Sequence, residues 1–126
     1  MHANFIFDTV IIIDHLNGVK KATDLLLKLR VDDVVISVIT RAEVLAGVKS
    51  TEKAEVYLLL NNYICLPIDM KIADKAAELR GKYKWKLPDA FQAALALENN
   101  LILLTRNTKD FNAKEHNFVK VPYIIK

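Results

Sequence analysis

Strand-length apolar runs alternate with helical stripes along this chain, and that alternation narrows the folds open to it. Residues 4–7, 34–38, 63–66 and 101–104 are short and apolar, and Val34, Val35, Ile36 and Val38 make the second run largely β-branched, as in a buried strand. Residues 20–30 carry Ala22, Leu25, Leu26 and Leu29 at helical spacing, and residues 40–48 and 52–61 also read as helices. Residues 70–84 form a longer one, with Ile72, Ala73, Ala76, Ala77 and Leu79 inward, and residues 88–98 another, with Pro88 at an early helical position. Residues 9–16 mix both signals, since Ile11, Ile12 and Ile13 favour a strand while Asn17-Gly18 is a helix stop. Residues 118–121 are expected to add a short edge strand. Such alternation implies an α/β fold with a mostly parallel sheet covered by helices.

The chain has 126 residues, which suits one domain, and a chain of this size buries about two-thirds of its unfolded surface. Apolar residues make up 52%, which excludes disorder, and 3 Gly and 3 Pro exclude linker-rich classes. The 1 Cys, Cys65, leaves no internal disulfide and no cysteine zinc cluster, as expected of a reducing, cytoplasmic setting. The opening MHANFIFDTV lacks a basic n-region, and no apolar run approaches the ~20 residues of a membrane helix, so neither leader nor membrane is expected. A net charge of +3 permits a nucleic-acid partner without demanding one.

In parallel sheets, ligands bind beyond the carboxyl ends of the strands. Asp8 follows the first run, Glu43 lies one turn into the helix after the second, Asp89 opens the helix at Leu87-Pro88, and Asp110 follows residues 101–104. Chain direction brings Asp8, Glu43 and Asp110 to one edge, and Asp89 joins them if the strand after its helix runs parallel. Each acid also has a local use. Thr40 and Glu43 fit a capping box, Asn107 and Asp110 a similar N-cap pattern, and Asp8 and Asp89 suit helix N-termini. Together, four carboxylates would repel and raise one another's pKa unless a cation joined them. An all-oxygen set without Cys or His suits Mg²⁺ or Mn²⁺, and such ions serve metal-dependent nucleases.

These residues resemble the motifs of PIN-domain ribonucleases, specifically the VapC-type toxins of toxin–antitoxin pairs. Phe7-Asp8-Thr9, SVITRAEVLAG at 37–47, LPDAFQAALA at 87–96 and LLTRNTKDF at 103–111 are similar to the four motifs, in order, over nearly the whole chain. The resemblance implies a single PIN domain over residues 1–126 with a three-layer α/β/α fold. It implies Mg²⁺- or Mn²⁺-dependent endoribonuclease activity by metal-activated water. Asp8 and Asp89 would be the main metal ligands, and Glu43 and Asp110 would complete the acidic catalytic pocket directly or through water. Thr9, Thr105 and Asn107 would support it by hydrogen bonds. An antitoxin partner and a homodimer are implied too. Val10 departs from the Ser or Asn that often follows the Asp-Thr pair, which predicts a missing polar contact. Asn107 stands where many members carry an acid, leaving Asp110 to supply the fourth carboxylate.

Arg80, Lys82, Lys84 and Lys86, with Tyr83 and Trp85 between them, form a basic and aromatic run before Asp89. Its cations suit phosphates and its aromatics suit unpaired bases, while the same aromatics could instead plug the core. Arg41 and Arg106 are further candidates for phosphate or antitoxin contact. His2 and His116 are expected at the surface, and Cys65 in the core. Two alternatives to a toxin remain at this stage: a PIN-type nuclease of RNA processing or decay without an antitoxin, and a catalytically weak PIN-fold binding module.

Overall fold

The apolar runs become five short strands, β1 (Phe5–Phe7), β2 (Val34–Ser37), β3 (Ile64–Leu66), β4 (Ile102–Leu104) and β5 (Val119–Lys120). They form one sheet in the order β3-β2-β1-β4-β5, and every pairing is parallel. The computed structural model describes residues 2–125. The helices are α1 (Thr9–Leu16), α2 (Lys20–Lys28), α3 (Val38–Gly47), α4 (Lys53–Leu60), α5 (Met70–Tyr83) and α6 (Leu87–Glu98). Among the described residues no helix is long and apolar enough to cross a membrane.

Successive strand residues face opposite sides of a sheet, and here they feed two separate cores. Ile6, Val35 and Leu103 join Ile72, Ala76 and Leu79 of α5 and Ala90, Ala93 and Ala94 of α6. Phe7, Val34, Ile36 and Leu104 join Ile11 and Ile12 of α1, Ala22 of α2, Val44 of α3 and Leu60 of α4. The result is the expected α/β/α sandwich. Ala77, expected inward, is exposed, because the inner stripe of α5 is narrower than its apolar content suggests.

Residues 9–16 resolve as helix rather than strand. Asp8 caps them, its carboxylate accepting from the Thr9 N–H at 2.9 Å, and Gly18 beyond the C-terminus takes a left-handed φ of +79° that favours glycine. α3 begins two residues before the expected Thr40, because Ser37 is its cap and accepts from the Thr40 N–H at 3.0 Å. Thr40 is therefore inside the helix, and its hydroxyl is free of capping duty.

The central strand β1 lies between β2 and β4, so the connections leave it on both sides. That switch in strand order opens a crevice at the carboxyl edge, where the Asp8 N–H still reaches the Leu104 carbonyl at 2.9 Å.

Candidate active site

The crevice is a cleft of about 490 Å³ lined by Asp8, Thr9, Glu43, Asp89, Arg106 and Asn107, among others. Asp8 arrives on the end of β1 and is only 5% exposed. Its Oδ1 accepts from the Thr9 N–H, and its Oδ2 accepts from the Thr105 hydroxyl at 2.6 Å. Burial pushes the Asp8 carboxyl above its ordinary range and the nearby Glu43 charge adds to this, while the donors from Thr105, Thr9 and Gln92 pull it back.

Asp89 stands in the first turn of α6, beside Pro88, which fits that position because its missing N–H would have no helical partner. Its carboxyl is pushed up to about 6, first by burial and then by the charges of Asp8, Asp110 and Glu43, with Lys86 opposing. The four acids thus share one field, as their positions at the strand ends suggested. Asp110 does not line the cleft itself. It is held at the side by Asn107, whose Nδ2 donates to Asp110 Oδ2 at 3.0 Å and whose Oδ1 accepts from the Asp110 N–H at 3.4 Å. This is the turn that the N-cap pattern announced, but no helix follows it.

Glu43, on α3, is exposed, and its Oε1 accepts from the Thr9 hydroxyl at 2.7 Å. Thr40 supplies no cap to α3. Its hydroxyl lies 2.8 Å from that of Thr9 and accepts from Gln92 Nε2 at 2.7 Å. Gln92 is the participant the sequence reading left out. It is 1% exposed, one turn beyond Asp89 on α6, and also lies 3.5 Å from Asp8 Oδ1. A glutamine among Ala90, Ala93 and Ala94 on a buried helix face is the signal that marks it.

Among the described residues, no group of three or more His, Cys, Asp or Glu side chains is arranged to hold a metal ion. The donor chemistry nevertheless fits a hard divalent cation. Asp8 and Asp89 offer carboxylate oxygens, both raised first by burial, Asp8 further by Glu43 and Asp89 further by Asp8, Asp110 and Glu43, and Mg²⁺ is ordinarily held by one or two carboxylates with retained waters rather than by a protein cage.

Arg106 lines the cleft, yet its charge is engaged. Its Nε and Nη2 both donate to Asp14, the latter at 2.8 Å, and the Tyr123 hydroxyl donates to the same carboxylate at 2.7 Å. Asp14 is consequently held below the usual carboxylate range, chiefly by the Arg106 hydrogen bond. Arg41 points elsewhere, donating to Asn61 Oδ1 at 2.9 Å and lying over the Tyr57 ring. Val10 is half-buried and packs against the α1–α4 core while also lining the cleft, so an apolar wall stands where a polar contact is usual.

The basic run divides. Lys82, Lys84 and Lys86 are exposed. Trp85 is 4% exposed, so its ring has no open face for a base. It stacks on Tyr83, packs against Phe111, and donates its indole N–H to the Asp110 carbonyl at 2.8 Å, while Arg80 Nη1 donates to the Trp85 carbonyl at 2.6 Å. Trp85 and Arg80 thus anchor the Asp110 segment to the start of α6. His116, expected at the surface, is buried in the same aromatic cluster, edge-on to Tyr83.

Residues 5–117 match the model of the PIN domain. The chain is 32% identical to Ribonuclease VapC10 of Mycobacterium tuberculosis, over 94% of this chain and 92% of that protein. A toxin–antitoxin complex from Klebsiella pneumoniae contains a chain that is 36% identical, covers 97% of this chain and 100% of its own, and superimposes with a TM-score of 0.89. FitAcB from Neisseria gonorrhoeae is 26% identical over 94% of this chain and 97% of its own, with a TM-score of 0.78. The chain belongs to the PIN-domain family, as a relative of the VapC ribonucleases.

Proposed function

We propose that this PIN domain is a divalent-metal-dependent endoribonuclease serving as the toxin of a toxin–antitoxin pair. The observation that carries the chemistry is the pairing of buried Asp8 with half-buried Asp89 at one cleft, both carboxyls raised and Asp89 to about 6 although Lys86 opposes it. The relatives named a ribonuclease and a toxin–antitoxin complex support the biological role.

Asp8 and Asp89 would hold a Mg²⁺ or Mn²⁺ ion, with Glu43 and Asp110 acting directly or through water. The ion would offset their charge, polarise a phosphate and lower the pKa of a bound water. The chain's own groups supply the rest. Thr105 and the Thr9 N–H fix both oxygens of Asp8, and Asn107 holds Asp110 beside Asp89. Glu43 is exposed at the mouth, where its free oxygen can orient the attacking water. In-line attack on phosphorus would release a 3′-hydroxyl and leave a 5′-phosphate. Lys82, Lys84 and Lys86 are surface cations leading to Asp89 and would contact the RNA backbone. A small antitoxin would cover the cleft, and the toxin would pair as a homodimer.

The test is RNA-end mapping after expression, with Asp8→Asn as the control. Growth arrest with defined new 5′ ends, both lost in the variant, is expected. Equal arrest or equal cleavage by Asp8→Asn would remove the assignment, and would favour a binding module if no new ends formed.

A further inference from the structure

Two threonine hydroxyls lie in series between the interior of α6 and the cleft. Gln92 Nε2 is 2.7 Å from Thr40 Oγ1, which is 2.8 Å from Thr9 Oγ1, which is 2.7 Å from Glu43 Oε1. The direction of the hydrogens follows from donor inventory. The Gln92 amide nitrogen can only donate, so Thr40 accepts from it. An ionised carboxylate can only accept, so Thr9 spends its one hydroxyl hydrogen on Glu43. The one hydrogen of Thr40 is then left for Thr9. Asp8 fixes the sense of the amide at the inner end. Gln92 Nε2 lies 3.5 Å from Asp8 Oδ1, and a flipped amide would bring its oxygen towards that carboxylate.

We propose that Gln92 is a positioning residue for Glu43, setting through Thr40 and Thr9 a one-way hydrogen-bond chain that holds one carboxylate oxygen and turns the other to the cleft. The inference rests on the metal-dependent reading of the site. A second feature supports it. Among the described residues, Gln92 Oε1 is buried without a hydrogen-bond partner. An unpaired buried acceptor is unfavourable, and an apolar side chain would fill the same place among Ala90, Ala93 and Ala94 without that penalty. The amide is explained by what its donors do. The chain also joins two helices from opposite faces of the sheet, so Glu43 on α3 takes its orientation from the helix that carries Asp89.

The experiment is Mn²⁺ titration calorimetry on the purified chain, with RNA cleavage measured in parallel. Gln92→Met and Thr40→Val should each weaken Mn²⁺ binding about 10-fold, the effect of losing an outer partner of a metal ligand. Both variants should stay folded, and Gln92→Met should unfold at no lower temperature than wild type. Thr40→Ser, which keeps the hydroxyl, should restore affinity to within about 2-fold, an outcome that loss of packing alone would not give. In a Glu43→Gln background the Gln92→Met effect should shrink to about 2-fold or less. Wild-type affinity in Gln92→Met or Thr40→Val, or an undiminished Gln92→Met effect without the Glu43 carboxylate, would overturn the positioning role alone. A wild-type chain that binds no Mn²⁺ would overturn both this role and the metal-dependent reading beneath it.

Discussion

Asp8 and Asp14 stand six residues apart at the two ends of α1, and both are almost fully buried, at 5% and 4% exposure. Their surroundings are opposite. Asp14 meets the Arg106 guanidinium and the Tyr123 hydroxyl, and its carboxyl is held low. Among the described residues Asp8 meets hydroxyl and amide donors but no cation, and its carboxyl is raised. A buried charge with a built-in counter-ion closes a structure, whereas one with only neutral donors leaves a deficit that an external cation can fill. Arg106 sharpens the contrast, since it lines the acidic cleft yet directs two of its nitrogens away from it.

Substitutions at the two aspartates should therefore fail differently. Asp8→Asn or Asp89→Asn should lower RNA cleavage by more than the ~10- to 100-fold typical of outer metal partners, with the fold intact by circular dichroism. Activity within a factor of two of wild type would place the chemistry elsewhere. Asp14→Ala should act on stability. Breaking such a pair costs up to about 3–5 kcal/mol, and roughly 2 kcal/mol is expected here because Arg106 keeps about a third of its side chain in water. Urea unfolding reads this directly, and a loss under about 0.5 kcal/mol would mean the cluster is incidental.

The basic run gives a smaller effect. Replacing Lys82, Lys84 and Lys86 with Ala should reduce the salt slope of single-stranded RNA binding by up to about 2, near 0.7 per phosphate contact. An unchanged slope would take these lysines out of the binding surface.

The smallest effect is on pH dependence without divalent ions, and its sign differs between the two sites. Asp89 titrates near 6 in the fold against an ordinary 3.8, so its contribution is fully present below about 3.8 and is lost as pH rises through about 6. Asp14 is shifted down, so its contribution is present above about 3.8 and is lost as pH falls through its lowered value. Thermal unfolding with chelator should show Asp89→Asn flattening the fall between pH 4 and 6. Asp14→Asn should flatten the fall below pH 4. A parallel shift at every pH would contradict both assignments. Trp85, the 1 Trp of the chain, is buried in the core and provides the fluorescence probe.

The placement of the acids was legible because a parallel sheet sorts residues by chain direction. Asp8, Glu43 and Asp110 needed only their positions after strands, and Asp89 needed only that β4 be parallel. The partners of those acids were less legible. Arg106 and Asp14 are separated by 92 residues, and nothing local marks them as a pair. The Trp85 indole was flanked by lysines, which suggested base stacking, but the chain turns at Lys84, with a left-handed φ of 63°, and carries the ring into the core. Ser37 was hidden as a cap because Val38 and Ile39 continue the β-branched pattern into the first turn of α3. Gln92 went unassigned because its donors meet Thr40 across the sheet, a contact that only the folded packing creates.

The decisive measurement is cleavage of RNA by the purified chain after chelation, as Mg²⁺ or Mn²⁺ is added back, with Asp89→Asn beside it. No cleavage with chelator, recovery on adding the ion, and a much weaker recovery in the variant are expected. Equal cleavage with and without the ion, or full recovery in Asp89→Asn, would show that Asp8 and Asp89 are not the reacting centre.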